Sequence, residues 1–118
     1  YVGENDIANN ATPETVLNNT KRLLIEIRER IPNVPIVYIS IKPSPSREKF
    51  LPVVIDSNKL IRDYITTQKD MHFIDVFNPM LTTEGKSKPE IFLADRLYMN
   101  NLGYEIWIKE IKPYLLKR

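Results

Sequence analysis

Val34–Ile41, VPIVYISI, is the stretch on which the fold turns. It is almost wholly apolar and rich in β-branched residues. A strand half-exposed to water alternates polar and apolar side chains, because successive Cβ atoms point to opposite faces. A strand without that alternation is apolar on both faces, the pattern of a central parallel strand covered by helices on each side. Just upstream, Thr12-Pro13-Glu14 marks a helix start: a hydroxyl N-cap, a proline where no N–H is needed, and an acid favoured by the helix dipole. Val16, Thr20, Leu23, Leu24, Ile27 and Ile31 then recur at helical spacing, with Glu26 and Arg30 paired on the wet side, and the helix ends near Ile31-Pro32. Just downstream, Lys42-Pro43-Ser44-Pro45-Ser46-Arg47 is a stiff loop, since its prolines forbid both helix and ladder. A second helix follows over about Val53 to Thr67, with Val54, Leu60, Ile61, Tyr64 and Ile65 on it, and then a shorter strand over Met71 to Val76.

Farther out, Tyr1-Val2 is expected to end a buried strand, followed by the turn-forming Gly3-Glu4-Asn5-Asp6. Asn78 to Glu90, containing Gly85 and Pro89, is an irregular excursion. The final helix is expected over about Asn100 to Leu116, with Asn100 as N-cap, a buried stripe including Tyr104, Trp107 and Ile111, and Pro113 kinking or ending it early. Strand end, helix, strand, helix, strand, loop, helix is the order of a three-layer α/β/α domain with a parallel sheet and right-handed crossovers, one domain over residues 1–118. Ligands of such sheets gather beyond the carboxyl ends of the strands. The polar clusters all fall there: Gly3 to Asp6, Lys42 to Arg47, Asp75, and the loop bearing Asp95.

Composition narrows the function classes. The 118 residues are 42% hydrophobic and 27% charged, with a net charge of +2 and no cysteine. Basic residues are interleaved with acids, so no stripe recommends a nucleic-acid partner. No apolar run approaches the roughly 20 residues of a membrane span. Disulfides and thiolate metal sites are excluded. A metal would have only Asp6, Asp75 and Asp95 to meet at one edge, and this reading assigns neither metal nor cofactor. The chain opens on Tyr1 with no signal-like segment, so no compartment is assigned. Lys42 and Arg47 read either as a solvated loop or as contacts for an anionic substrate group. His72, the one histidine, falls within the second strand and reads as a packed or half-exposed strand residue in preference to a catalytic base.

The sequence resembles the SGNH, or GDSL-type, esterases and acylhydrolases. Gly3-Glu4-Asn5-Asp6 is similar to that family's third block, G-x-N-D. Asp95, followed by Met99-Asn100 and Gly103-Tyr104, is similar to its fifth block, D-x-x-H, often continued as H-x-N-x-x-G-Y. YISIKPSPSR and FIDVF resemble strand and loop sequences of one bacterial branch. The resemblance implies a flavodoxin-like sheet whose N-terminal strands, with the G-D-S nucleophile block, lie upstream of Tyr1. It further implies that Asn5, in a block opened by Gly3, donates to the oxyanion and that Asp95 orients a catalytic histidine. Gly3, Lys42 and Arg47 are the candidate contacts for a small ester substrate once an upstream segment completes the site. Tyr98 occupies the histidine's place. Phenols, with a reference pKa of about 10, do not act as neutral-pH bases, and a single hydroxyl cannot both donate to the acid and accept from serine. Two expectations follow: an ester-hydrolase domain inactive as these residues stand, or a non-catalytic module derived from one, forming a homo-oligomer through an open sheet edge or uncovered helix faces.

Overall fold

Two strands, Ile36–Ile39 (β1) and Met71–Ile74 (β2), pair in parallel in the computed structural model of the chain. Residues 6, 7, 9–95 and 98–116 are described, the last two by backbone alone, so the expected Tyr1-Val2 strand end and the candidate residues Gly3 and Asn5 lie outside the described residues. The helices Pro13–Arg30 (α1), Leu51–Thr66 (α2) and Asn101–Leu116 (α3) alternate with the strands in the order α1-β1-α2-β2-α3 among the described residues. Short 3-10 segments at Pro45–Phe50, Asn78–Met80 and Pro89–Ile91 fill the connections.

The local signals act as their chemistry requires. The Thr15 N–H donates to the Thr12 hydroxyl at 3.2 Å, capping α1. The Thr20 hydroxyl donates to the Val16 carbonyl at 2.8 Å, which lets a polar residue sit on the buried stripe. Arg28 donates to the carbonyls of Pro32 and Lys69 at 3.3 and 2.9 Å, tying the ends of α1 and α2 together at the amino edge of the sheet. There the chain turns into β2 at Asp70, whose φ of 55° is a left-handed conformation that aspartate tolerates.

The register Ile36↔Met71, Val37↔His72, Tyr38↔Phe73 and Ile39↔Ile74 sorts the side chains into faces. Ile36, Tyr38, Met71 and Phe73 point toward α1 and α2 and join Val16, Leu24, Val54, Ile61 and Ile65 in the main core. Tyr38 and Phe73 stack at 5.9 Å, with the Arg62 guanidinium 5.3 Å from the Phe73 ring centre. On the opposite face Ile74 is buried, but Val37 and His72 are exposed. The expected coverage of β1 by helices on both faces is thus half met among the described residues. The reason is where α3 lies: it packs on the 3-10 segments beyond β2 and reaches the strand face through Tyr114, whose ring is 6.4 Å from that of His72.

A second core of Met80, Ile91, Phe92 and Met99 receives Ile106 and Trp107 of α3, and the Trp107 indole N–H donates to the Met80 sulfur at 3.3 Å. This corrects the expected stripe: Tyr104 is exposed, because Gly103 is the residue set against Ile91 and Met99 and it fixes the helix's rotation. The helix also runs through Pro113 to Leu116 instead of stopping early. A proline removes one i→i−4 bond, and here it does so in the last turn, where little helix remains to be disrupted.

Candidate active site

Four local structures hold the polar residues singled out in the sequence, each fixed by its own chemistry, and those at Ser40, Lys42–Arg47 and Asp75 follow the carboxyl ends of the strands. At the end of β1 the Ser40 hydroxyl accepts from the N–H groups of Val76 and Phe77 at 2.9 and 3.2 Å, stapling β1 to the chain leaving β2. Next to it, Asn58 of α2 reads Ile41 with both ends of its amide. Its Oδ1 accepts from Ile41 N–H at 2.8 Å and its Nδ2 donates to Ile41 C=O at 3.0 Å. Both residues are buried, so Asn58 replaces the strand partner that Ile41 would otherwise need. Neither Ser40 nor Asn58 stood out as a site-building residue in the sequence. The one available signal was a polar residue on the buried stripe of α2.

Lys42 and Arg47 follow on the loop after Ile41. The solvated-loop reading of Lys42 is corrected: it is 8% exposed, and Pro43, Ser44 and Pro45 are buried with it. Arg47 is half-buried. Across from them a small hairpin is closed by Thr82 and Lys86, with Gly85 at φ 81° in its turn. Glu48 joins the two loops: its Oε1 accepts from the Ser87 N–H at 3.3 Å and from the Ser87 hydroxyl at 3.1 Å. Between them lies an open groove of about 490 Å³ lined by Pro45, Glu48, Thr82, Lys86 and Ser87, among others.

At the end of β2, Asp75 is a turn residue. Its Oδ1 accepts from the N–H groups of Phe77 and Asn78 at 2.8 and 3.2 Å, and its Oδ2 accepts from the Asn78 amide. Among the described residues no group of three or more His, Cys, Asp and Glu is placed to hold a metal ion.

The loop carrying Asp95 and Tyr98 is held from both sides. Phe92 and Met99 form an antiparallel bridge, the Leu93 N–H donates to the Tyr98 carbonyl at 2.8 Å, and the Asn100 N–H donates to the Ile91 carbonyl at 2.9 Å. Asn100 caps α3 as expected, its Oδ1 accepting from the N–H groups of Leu102 and Gly103 at 2.9 and 3.2 Å. Its Nδ2 also donates to the Glu90 carbonyl at 2.7 Å. Gly103 completes the clamp: a Cβ there would stand 2.8 Å from both the Ile91 carbonyl oxygen and Met99 Cβ. At the tip, the Asp95 carboxylate accepts from the Tyr98 N–H at 3.0 Å, while the Tyr98 side chain is 62% exposed. Asp95 and Tyr98 therefore share one loop tip, and Lys42 and Arg47 share another. His72 stands apart on β2, on a groove also lined by Arg62, Glu110 and Tyr114.

Neither a protein-family model nor a curated protein matches the chain. Solved structures do. A Streptococcus pneumonia protein provisionally assigned as a platelet activating factor superposes with a TM-score of 0.83 at 23% identity over 97% of this chain. A carbohydrate esterase family 3 protein from Talaromyces cellulolyticus does so with a TM-score of 0.81 at 16% identity over 98% of the chain. A GDSL-like lipase from Bacteroides thetaiotaomicron gives 0.79 at 21% identity over 98%. The chain spans 56%, 55% and 60% of those proteins, somewhat over half their length. Its fold is that of SGNH hydrolases over that part of the domain.

Proposed function

We propose that the chain is part of an SGNH-type ester-hydrolase domain in which the acid-bearing loop is retained and the base is replaced, so that ester turnover is not supported while Tyr98 is present. One observation carries this: Asp95 is held at the loop tip with its carboxylate on the Tyr98 backbone N–H at 3.0 Å, and the side chain projecting from that tip is a phenol. Acyl transfer by serine requires a base that accepts the hydroxyl proton on one atom while another atom donates to the orienting acid. Imidazole has two such atoms. A phenol has one oxygen, protonated at neutral pH, and cannot take the proton. In this reading Asn5 and Gly3 belong to the oxyanion side, Lys42 and Arg47 bound the substrate, and the substrate is a small ester.

The test is a short-chain aryl ester offered to the full-length protein encoded by the gene. The parent is expected to show no turnover above buffer and Tyr98→His measurable turnover. Asp95→Asn added to Tyr98→His is expected to reduce that turnover by up to about 10⁴-fold, the scale of losing the orienting acid in a triad. Turnover by the parent that disappears with Asn5→Ala, or no turnover by Tyr98→His, would overturn the proposal.

A second reading, a non-catalytic self-associating module, is favoured by the exposure of Val37 on the sheet and of Leu102 and Ile108 on α3. Sedimentation at tens of micromolar decides it: a dimer or larger species supports association, and a stable monomer removes it.

A further inference from the structure

The loop after β1 carries two buried donors that no described residue satisfies. Ser44 is 1% exposed and its hydroxyl has no hydrogen-bond partner, and the Arg47 Nε is likewise buried and unpartnered. They are the two ends of one turn, closed by the Arg47 N–H donating to the Ser44 carbonyl at 3.0 Å, which brings their Cα atoms within about 7 Å. The acid nearest in sequence, Glu48, is bonded to Ser87 through its Oε1. No carboxylate of a described residue pairs with Arg47. Buried donors left unmade are costly, and a guanidinium N–H is among the costliest. Two such donors on one turn, at the edge of the sheet where ligands bind, select a ligand that is rich in acceptors and negatively charged.

We propose that the Ser44–Arg47 turn binds an oxyanion group, carboxylate or phosphate, of a small-molecule ligand, the Ser44 hydroxyl and Arg47 Nε donating to it. The inference rests on the hydrolase reading only in taking this group to be part of the substrate.

The test is calorimetric titration of the full-length protein with inorganic phosphate and, separately, with succinate, against sodium chloride of matched ionic strength. Saturable binding of at least one is expected, with phosphate or succinate preference identifying the anion. Arg47→Gln is expected to weaken it by about tenfold or more and Ser44→Ala by several-fold, the scale of losing a charged and a neutral hydrogen bond. Arg62→Gln, which removes a positive charge on α2 away from this turn, is expected to leave it unchanged. If circular dichroism shows Arg47→Gln to be unfolded, Arg47→Lys and Ser44→Ala carry the comparison. No saturable heat with either anion would overturn the site. So would Ser44→Ala and the folded Arg47 variant binding as the parent does, or Arg62→Gln weakening binding as much as they do. Failed titration beside turnover of a neutral aryl ester by Tyr98→His refutes this site alone. Saturable binding without that turnover refutes the esterase reading alone.

Discussion

Ser57 and Asn58 are neighbours on α2 and both buried, at 0% and 7% exposure, yet truncating them should move stability in opposite directions. Asn58→Ala deletes the bonds at 2.8 and 3.0 Å to Ile41 and leaves a buried N–H and a buried C=O without partners. Ile41 is itself fully buried, so water cannot take the amide's place. At about 1–3 kcal/mol for each stranded group the loss is about 2–6 kcal/mol, a large share of the ~5–15 kcal/mol that holds a typical domain together. Ser57→Ala removes a buried hydroxyl that has no hydrogen-bond partner. That relieves a desolvation cost and adds a few tenths of a kcal/mol of helix propensity, for a net gain of about 0.5–1.5 kcal/mol. Urea unfolding followed by circular dichroism reads both, with the midpoint moving and the slope unchanged if the variants act on the native state. The reasoning fails if Asn58→Ala lies within about 0.5 kcal/mol of the parent, or if Ser57→Ala loses more than about 1 kcal/mol.

Three further outcomes are expected. Gly103→Ala must push a Cβ to 2.8 Å from the Ile91 carbonyl, so it is expected to cost about 1–2 kcal/mol by urea unfolding despite alanine's better helix propensity. Asn100→Ala loses both the cap of α3 and the bond to Glu90, for about 1–3 kcal/mol in the same assay, and Asn100→Asp should recover the cap portion alone. Burial raises the Tyr38 phenol well above its ordinary value, a hydrogen bond with Thr20 pulls it partly back, and the Asp6 charge raises it again. The folded state then keeps a proton that the unfolded chain releases near pH 10, so stability should fall as pH rises above about 10, by up to ~1.4 kcal/mol per pH unit. Tyr38→Phe should flatten that part of a pH–stability curve, and an unchanged slope would refute the assignment.

What was legible in the sequence was local. Thr12-Pro13, the apolar run around β1 and the Asn100 cap each carry their meaning within a few residues, and each appears where it was expected. The contact of the Asp95 carboxylate with the backbone N–H of Tyr98 likewise spans three residues along one loop. What was hidden depends on residues far apart in the chain. The bonds of Asn58 to Ile41 span 17 positions and those of Ser40 to Val76 span 36, and no periodicity encodes either. Lys42 is ambiguous in the sequence for the same reason, since a lysine in a proline-rich loop looks solvated until the packing around it is known. Tyr104 shares helical spacing with Trp107 and Ile111, so periodicity alone puts it on their stripe. The helix is turned by the close seat of Gly103, which is a matter of distance and not of hydrophobicity.

The clamp on the loop between Phe92 and Asn100 uses the backbone of residue 98 but not its side chain: Tyr98 contributes its N–H and its carbonyl, and its phenol projects into solvent. The fold is accordingly indifferent to which side chain that position displays. Tyrosine and histidine codons differ only in their first base, so a point transition interchanges the two. Exchange of tyrosine and histidine at this tip is therefore a change that selection on folding neither opposes nor rewards.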